Sequence, residues 1–325
     1  MSSVPTSITR RTALLAIAAA STAGRALAQS GTVRFILPNA TGSGVDALVR
    51  AASPALSSAL GATVVVDNQP GAGGVVGLNA VARSPADGST LSVVSNNVVI
   101  FPSVLKSLPF DMPGDFTPIA LIGSTPMVLV VNPSKIPANN AREFFAALKA
   151  KPAGYNFGSG GNGTILHLAT ELVLEAGGVT ARHIPYKGVG PMVTDLMGGQ
   201  IDFATAALPS VQGQIKSGAL RPIGLLAAQR PPAAAEIPTL AEQGLSNFVV
   251  EAWFAVIGPK GMSASAVKKA HDAVVSAFND PAVKDAMAKQ GNSIHVSTAE
   301  QAQAAFRSEL AKYAALVKKV GLQPQ

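Results

Sequence analysis

Glycine, amide and hydroxyl side chains are concentrated at two places in the chain, Pro38-Asn39-Ala40-Thr41-Gly42-Ser43-Gly44 and Gly158-Ser159-Gly160-Gly161-Asn162-Gly163-Thr164. Each stretch lies between a strand-like apolar run and a helical pattern. Backbone N–H groups at such a helix start are uncovered and aligned with the positive end of the helix dipole, so the chemistry implied is anion binding. Two such loops facing each other make a clamp for a carboxylate. Ser159 and Thr164 add hydroxyls where the glycines allow close approach, although Thr164 also stands where a helix N-cap belongs. Asp46 is a candidate contact with a strong structural reading, because it lies in a first helical turn with Arg50 four residues on.

Catalytic groupings are missing. There is no cysteine, no GxSxG elbow and no HExxH, and the four histidines, His167, His183, His271 and His295, have no second metal ligand at a useful spacing. His167, one turn beyond Thr164, is placed to face the cleft, but a lone helical histidine is ordinarily a packed or surface residue. The serious alternative is Gly42-Ser43-Gly44-Val45-Asp46-Ala47, which fits GxGxxA after a strand, with Asp67 placed as a ribose-binding acid. That alternative is an exported nicotinamide- or flavin-dependent oxidoreductase. Against it, four residues separate Leu37 from Gly42 and Pro38 stiffens the gap. The expectation is therefore no cofactor and no enzyme.

The elements that must carry these loops alternate. Val33 to Leu37 reads as a strand, and Val45, Leu48, Val49, Ala52, Leu56 and Leu60 recur at helical spacing after it, with Pro54 as a possible bend. Thr63 to Val66 and Leu91 to Val94 are further strands, leading into Asn68-Gln69-Pro70-Gly71-Ala72-Gly73-Gly74 and Ser95-Asn96-Asn97. Met127 to Val131 and Trp253 to Ile257 read as strands, and Ala264 to Val320 as nearly continuous helix, with Pro281 opening one segment and Gly321 ending the last. Strand and helix alternation implies parallel βαβ units whose polar loops converge at the carboxyl ends of the strands.

The 325 residues exceed a usual single core. Arg10-Arg11, a weakly apolar stretch and Ala26-Leu27-Ala28 predict an export signal over 1–28, of twin-arginine type or an ordinary secretory one. Its loss lowers the net charge from +7 to +4. Scattered basic residues without interleaved aromatics give nucleic-acid binding no support. Later apolar runs all fall short of the roughly 18 to 20 residues that a membrane helix needs.

Five motifs in register give the chain a family likeness. Pro38 with Gly42-Ser43-Gly44-Val45-Asp46, Asn68 through Gly74, Asn156-Phe157-Gly158-Ser159 through Gly163-Thr164, His183-Ile184-Pro185-Tyr186-Lys187-Gly188 and Gly198-Gly199-Gln200-Ile201-Asp202 resemble the Bug family, the periplasmic solute receptors of tripartite tricarboxylate transporters. The resemblance implies an α/β, two-lobed periplasmic binding protein fold of type II-like form. Each lobe is a mainly parallel sheet flanked by helices, and two crossing strands form the hinge. Lobe 1 is expected over 29–130 plus 252–325 and lobe 2 over 131–251. It further implies a periplasmic monomer that passes a carboxylate, often a dicarboxylate or aromatic acid, to membrane subunits. A receptor signalling to a sensor partner uses the same clamp.

Carried over by position, the resemblance implicates Asn39, Thr41, Gly42, Ser43, Gly44 and Asp46, then Ser95 and Asn97, then Ser159, Gly160, Gly161, Asn162 and Thr164. Two departures bear on the ligand. Asn39 stands where the family commonly has an aromatic, and Ala206-Ala207 where it often has a polar pair. The expected wall at Ala206 and Ala207 is small and apolar, which disfavours an amino or hydroxy acid and favours an unsubstituted carboxylate.

Overall fold

The computed structural model describes residues 31–246 and 248–324. The expected export segment 1–28 lies outside them. In chain order, β1 (Thr32–Leu37), α1 (Gly44–Leu60), β2 (Thr63–Asn68), α2 (Val75–Ala82) and β3 (Thr90–Ser95) form a parallel wing with β1 in its middle. After α3 (Asn97–Val104), β4 (Phe116–Val131) and α4 (Ala141–Ala150), the plan repeats. In the second wing β5 (Asn156–Ser159) is central, flanked in parallel by β6 (Arg182–Pro185) and β7 (Phe203–Ala207), with α5 (Ile165–Gly177) and α6 (Val189–Met197) as crossovers. Next come α7 (Leu208–Lys216), β8 (Arg221–Leu225), β9 (Glu251–Pro259), α8 (Ala264–Asn279), α9 (Pro281–Lys289), β10 (Ser293–Ile294) and α10 (Ala299–Lys319).

Both central strands therefore feed a glycine loop and then a helix. Ser43 opens α1 as its N-cap, its Oγ accepting the Asp46 amide at 3.2 Å, and Gly61 ends the helix at φ 62. The buried stripe of α1, Val45, Leu48, Val49, Ala52, Leu56 and Leu60, is the one its spacing predicts, and Pro54 sits inside the helix without ending it. That stripe joins Phe278, Val274 and Met287 of α8 and α9 in one apolar cluster on this face of the first wing. Each large side chain so buried stabilises the fold by about 1.5–3 kcal/mol.

The sheet is mixed rather than mainly parallel. β4 runs antiparallel to β9 from Phe116 to Pro126, and from Met127 onward it pairs antiparallel with β7 and β8 instead. One strand thus belongs to both wings, and the change of partner falls between Pro126 and Met127. An antiparallel pair needs no crossover helix, so β9 can return beside β4 after the whole second wing has been built. β4 also begins earlier than Met127, because Pro118, Gly123 and Pro126 punctuate its sequence without breaking the strand. Register shifts between Pro118 and Ala120 and between Leu121 and Gly123 absorb the irregularity.

α10 spans the two wings. Glu309 accepts the Trp253 indole N–H of β9 at 2.9 Å, and the Tyr313 hydroxyl accepts from the Asn96 amide at 2.6 Å. At its far end Lys319 pairs with Glu175 of α5 at 3.0 Å.

Candidate functional site

The carboxyl ends of β1, β2, β3, β5, β6 and β7 all open onto one cleft of about 540 Å³. Its floor is formed by Thr125 of β4 with Ala252 and Phe254 of β9. Thr125 pairs with Ala252 and Met127 with Ala207, which puts Thr125, Ala252, Phe254 and Ala207 on one sheet face. Lys187 is the one charged side chain among the described lining residues. No carboxylate is among the described lining residues.

Of the residues singled out from sequence, Asn39, Ser43, Gly44, Ser95, Asn97, Gly160, Gly161, Asn162, Thr164 and Ala207 line this cleft. Thr41, Gly42, Asp46, Ser159 and Ala206 are not on its wall. Their bonds explain why. Asp46 accepts the Gly42 amide at 2.9 Å, Arg50 Nε at 2.9 Å and the Asn68 amide at 3.0 Å, so it braces the loop from behind. Burial opposes its charge, but the hydrogen bonds from Arg50, Gly42 and Asn68 outweigh that and hold its carboxyl below the usual range. With Gly42 committed to Asp46, the first wing offers the amides of Gly44 and Val45, the first two of α1 and without an acceptor inside the helix.

The second loop is braced by an aromatic stack. His183 stacks on Phe157, at 4.9 Å between ring centres, and on His167, at 3.7 Å and 12°, and those two rings are 6.1 Å apart. His183 Nε2 sits 2.6 Å from Ser159 Oγ, which in turn accepts the Gly161 amide at 3.2 Å. His167 Nδ1 accepts the Gly163 amide at 3.2 Å. Each imidazole therefore fixes one glycine of the loop, His183 through Ser159 and His167 directly. Burial, and then the neighbouring His167, push His183 down to about 3, which keeps it uncharged at neutral pH. Thr164 caps α5, accepting the His167 amide at 3.4 Å and donating to the Gly161 carbonyl at 2.8 Å.

The two loops meet across the cleft. Asn97 Oδ1, from the first wing, accepts the Ile165 amide that opens α5 at 2.7 Å. A Cβ on Gly188 would stand 3.0 Å from that of Ala40, and one on Gly161 would stand 3.6 Å from the Cα of Gly73. Tyr186 lines the same side with its hydroxyl donating to Asp195 at 2.8 Å; burial and that carboxylate push it up to about 12.

Asp67, the acid of the dinucleotide alternative, is held by Arg34 and Gln69 and is not on the cleft wall. Two hydroxyls that sequence reading missed are on it, those of Thr125 and Ser210. Thr125 is fully buried, and neither Thr125 Oγ1 nor Ser210 Oγ has a hydrogen-bond partner among the described residues. They put two hydroxyls on the cleft that Ala207 also lines.

Residues 48–322 match the model of the tripartite tricarboxylate transporter family receptor. The chain belongs to that family. The receptor is 34% identical over 291 residues to protein BugT of Bordetella pertussis, which covers 89% of each chain. Among solved structures it resembles the periplasmic binding protein BugD, with a TM-score of 0.86 and 30% identity over 90% of this chain and 99% of that one. An R. palustris protein solved with adipate gives 0.87 and 27% over 90% and 98%. MatC from Rhodopseudomonas palustris, with bound malate, gives 0.80 and 25% over 88% and 98%. The two-lobed binding-protein fold expected of this receptor is thus shown, with a mixed sheet in place of two parallel ones.

Proposed function

We propose that this receptor is a periplasmic, monomeric, non-enzymatic binding protein that closes two lobes on a small carboxylate and presents it to the membrane subunits of a tripartite tricarboxylate-type transporter. The lobes in this reading are 29–130 with 252–325 and 131–251, and the hinge lies a few residues before the first boundary, where β4 changes partner between Pro126 and Met127. One observation carries it: helix-start amides of Gly44 and Val45 and the braced loop from Gly160 to Thr164 face each other across a cleft with no acid among its described lining residues. Asn39, Ser43, Ser95, Asn97 and Thr164 supply the polar rim, while Asp46 and Ser159 act by shaping the loops. Leu105, Ile165, Leu166 and Phe254 offer an apolar bed for a carbon chain or ring. The relatives solved with adipate and with malate support a small acid as the class of ligand.

A thermal-shift screen with monocarboxylates, dicarboxylates and aromatic acids tests the reading. Ligand that binds only the native state raises its melting temperature, by an amount that grows with concentration. At least one acid is expected to do so with a colourless protein. A transition that no acid moves, or a preparation with flavin or nicotinamide absorbance, would overturn it.

A further inference from the structure

Lys187 lines the cleft, and it has no ion pair among the described residues. Other charges near the loops are committed. Arg50, which braces the first glycine loop, is bonded to Asp46 and Asn68, while Asp195 holds the Tyr186 hydroxyl and is not on the wall. Lys187 therefore gives the cleft wall an uncompensated positive charge. It stands at a lip: a Cβ on the next residue, Gly188, would come 3.0 Å from that of Ala40, so the loop after β6 meets the loop after β1 there. The Lys187 side chain is exposed, and exposure decides what it can do. A hydrated, flexible ammonium in contact with solvent adds little to the hold on a bound anion. Its field nevertheless reaches outward, over about 30 Å at 0.01 M salt and about 8 Å at 0.15 M. Apolar walls such as those of Leu105, Ile165 and Phe254 concentrate that field in the cleft.

Resting on the carboxylate-binding reading, we infer that Lys187 is the capture residue of this receptor: it draws an anionic acid to the mouth of the cleft and raises the association rate, while the glycine loops set how long the acid stays. The charge of the ligand is thereby selected at encounter as well as in the bound state. A neutral molecule of the same shape gains nothing from Lys187, and a dianion gains more than a monoanion.

The test is calorimetry with adipate and benzoate at low and high salt. Lys187→Met is expected to lower affinity about threefold or more near 0.01 M salt, more for adipate than for benzoate, and to have almost no effect near 0.5 M. Lys187→Arg keeps the charge and should keep the affinity. Lys284→Met, on the exposed face of α9 and off the cleft wall, changes the net charge equally and should leave affinity as it was. Stopped-flow mixing should then place the loss in the association rate. Equal effects of Lys187→Met and Lys284→Met, a loss that persists at high salt, or a loss that lies in faster dissociation overturns the capture role while leaving the carboxylate clamp standing. Failure of these and all other acids to bind the unaltered receptor overturns the clamp, and the capture role with it.

Discussion

Asp46 shapes the loop of the proposed anion site without lining the cleft. Its side chain is 4% exposed and accepts from Gly42, Arg50 and Asn68, so Asp46→Ala leaves three donors without their acceptor. That substitution is expected to cost about 1–3 kcal/mol of stability near neutral pH. Because the folded protein holds this carboxyl below its ordinary value, the contribution is present above about pH 4 and is lost as pH falls through the folded value. Denaturant titrations of both proteins should show the gap narrowing from pH 6 to pH 3; a gap that does not change with pH overturns the assignment. Asp46 with Arg50 was legible in the sequence because helical spacing pairs them. Thr125 and Ser210 were not legible, since a hydroxyl inside an apolar run signals nothing until strand register sets which face it occupies.

At the scale of elements, each glycine loop works as backbone held in a shape that a side chain would disturb. Gly161 has φ +134, and a Cβ there would stand 3.4 Å from the Tyr186 carbonyl and 3.6 Å from the Gly73 Cα, where the two wings meet. Gly161→Ala therefore strains the loop by about 1–3 kcal/mol and holds the wings apart. Acid affinity should fall by about tenfold or more in calorimetry. Gly213→Ala is the control, because nothing lies within 4 Å of a Cβ on that α7 glycine and helix interiors favour alanine. It should leave affinity unchanged and slightly raise the melting temperature; equal loss in both variants would sink the argument. The loops and α1 were legible from glycine punctuation and apolar spacing. The first half of β4 was hidden by Pro118, Gly123 and Pro126, and the antiparallel return of β9 is a long-range pairing that local pattern does not encode.

Across the whole molecule, an acid held as proposed touches both walls of the cleft, so its binding energy would act on the angle between the wings. The covalent links between them are few: β4 passes from one wing to the other between Pro126 and Met127, and the chain returns ahead of β9. α10 is a third, non-covalent link, tied to the first wing through Trp253 and Asn96 and to the second through Lys319 and Glu175. Any opening about β4 must break the bond from Ile165 to Asn97 and slide one end of α10 against its neighbours. An acid that bridges the loops opposes that opening, which is a population shift set by its contacts in the closed form. Small-angle scattering is expected to show a smaller radius of gyration with saturating acid than without. The chain has one tryptophan, Trp253, and its indole bond to Glu309 of α10 makes its emission a second reporter of the same motion. Asn97→Ala should weaken the response to acid through faster dissociation, since the bond it removes exists only while the wings are together. Scattering curves that superpose with and without an acid known to bind would show a rigid cleft, and the hinge at Pro126 and Met127 would have to be given up.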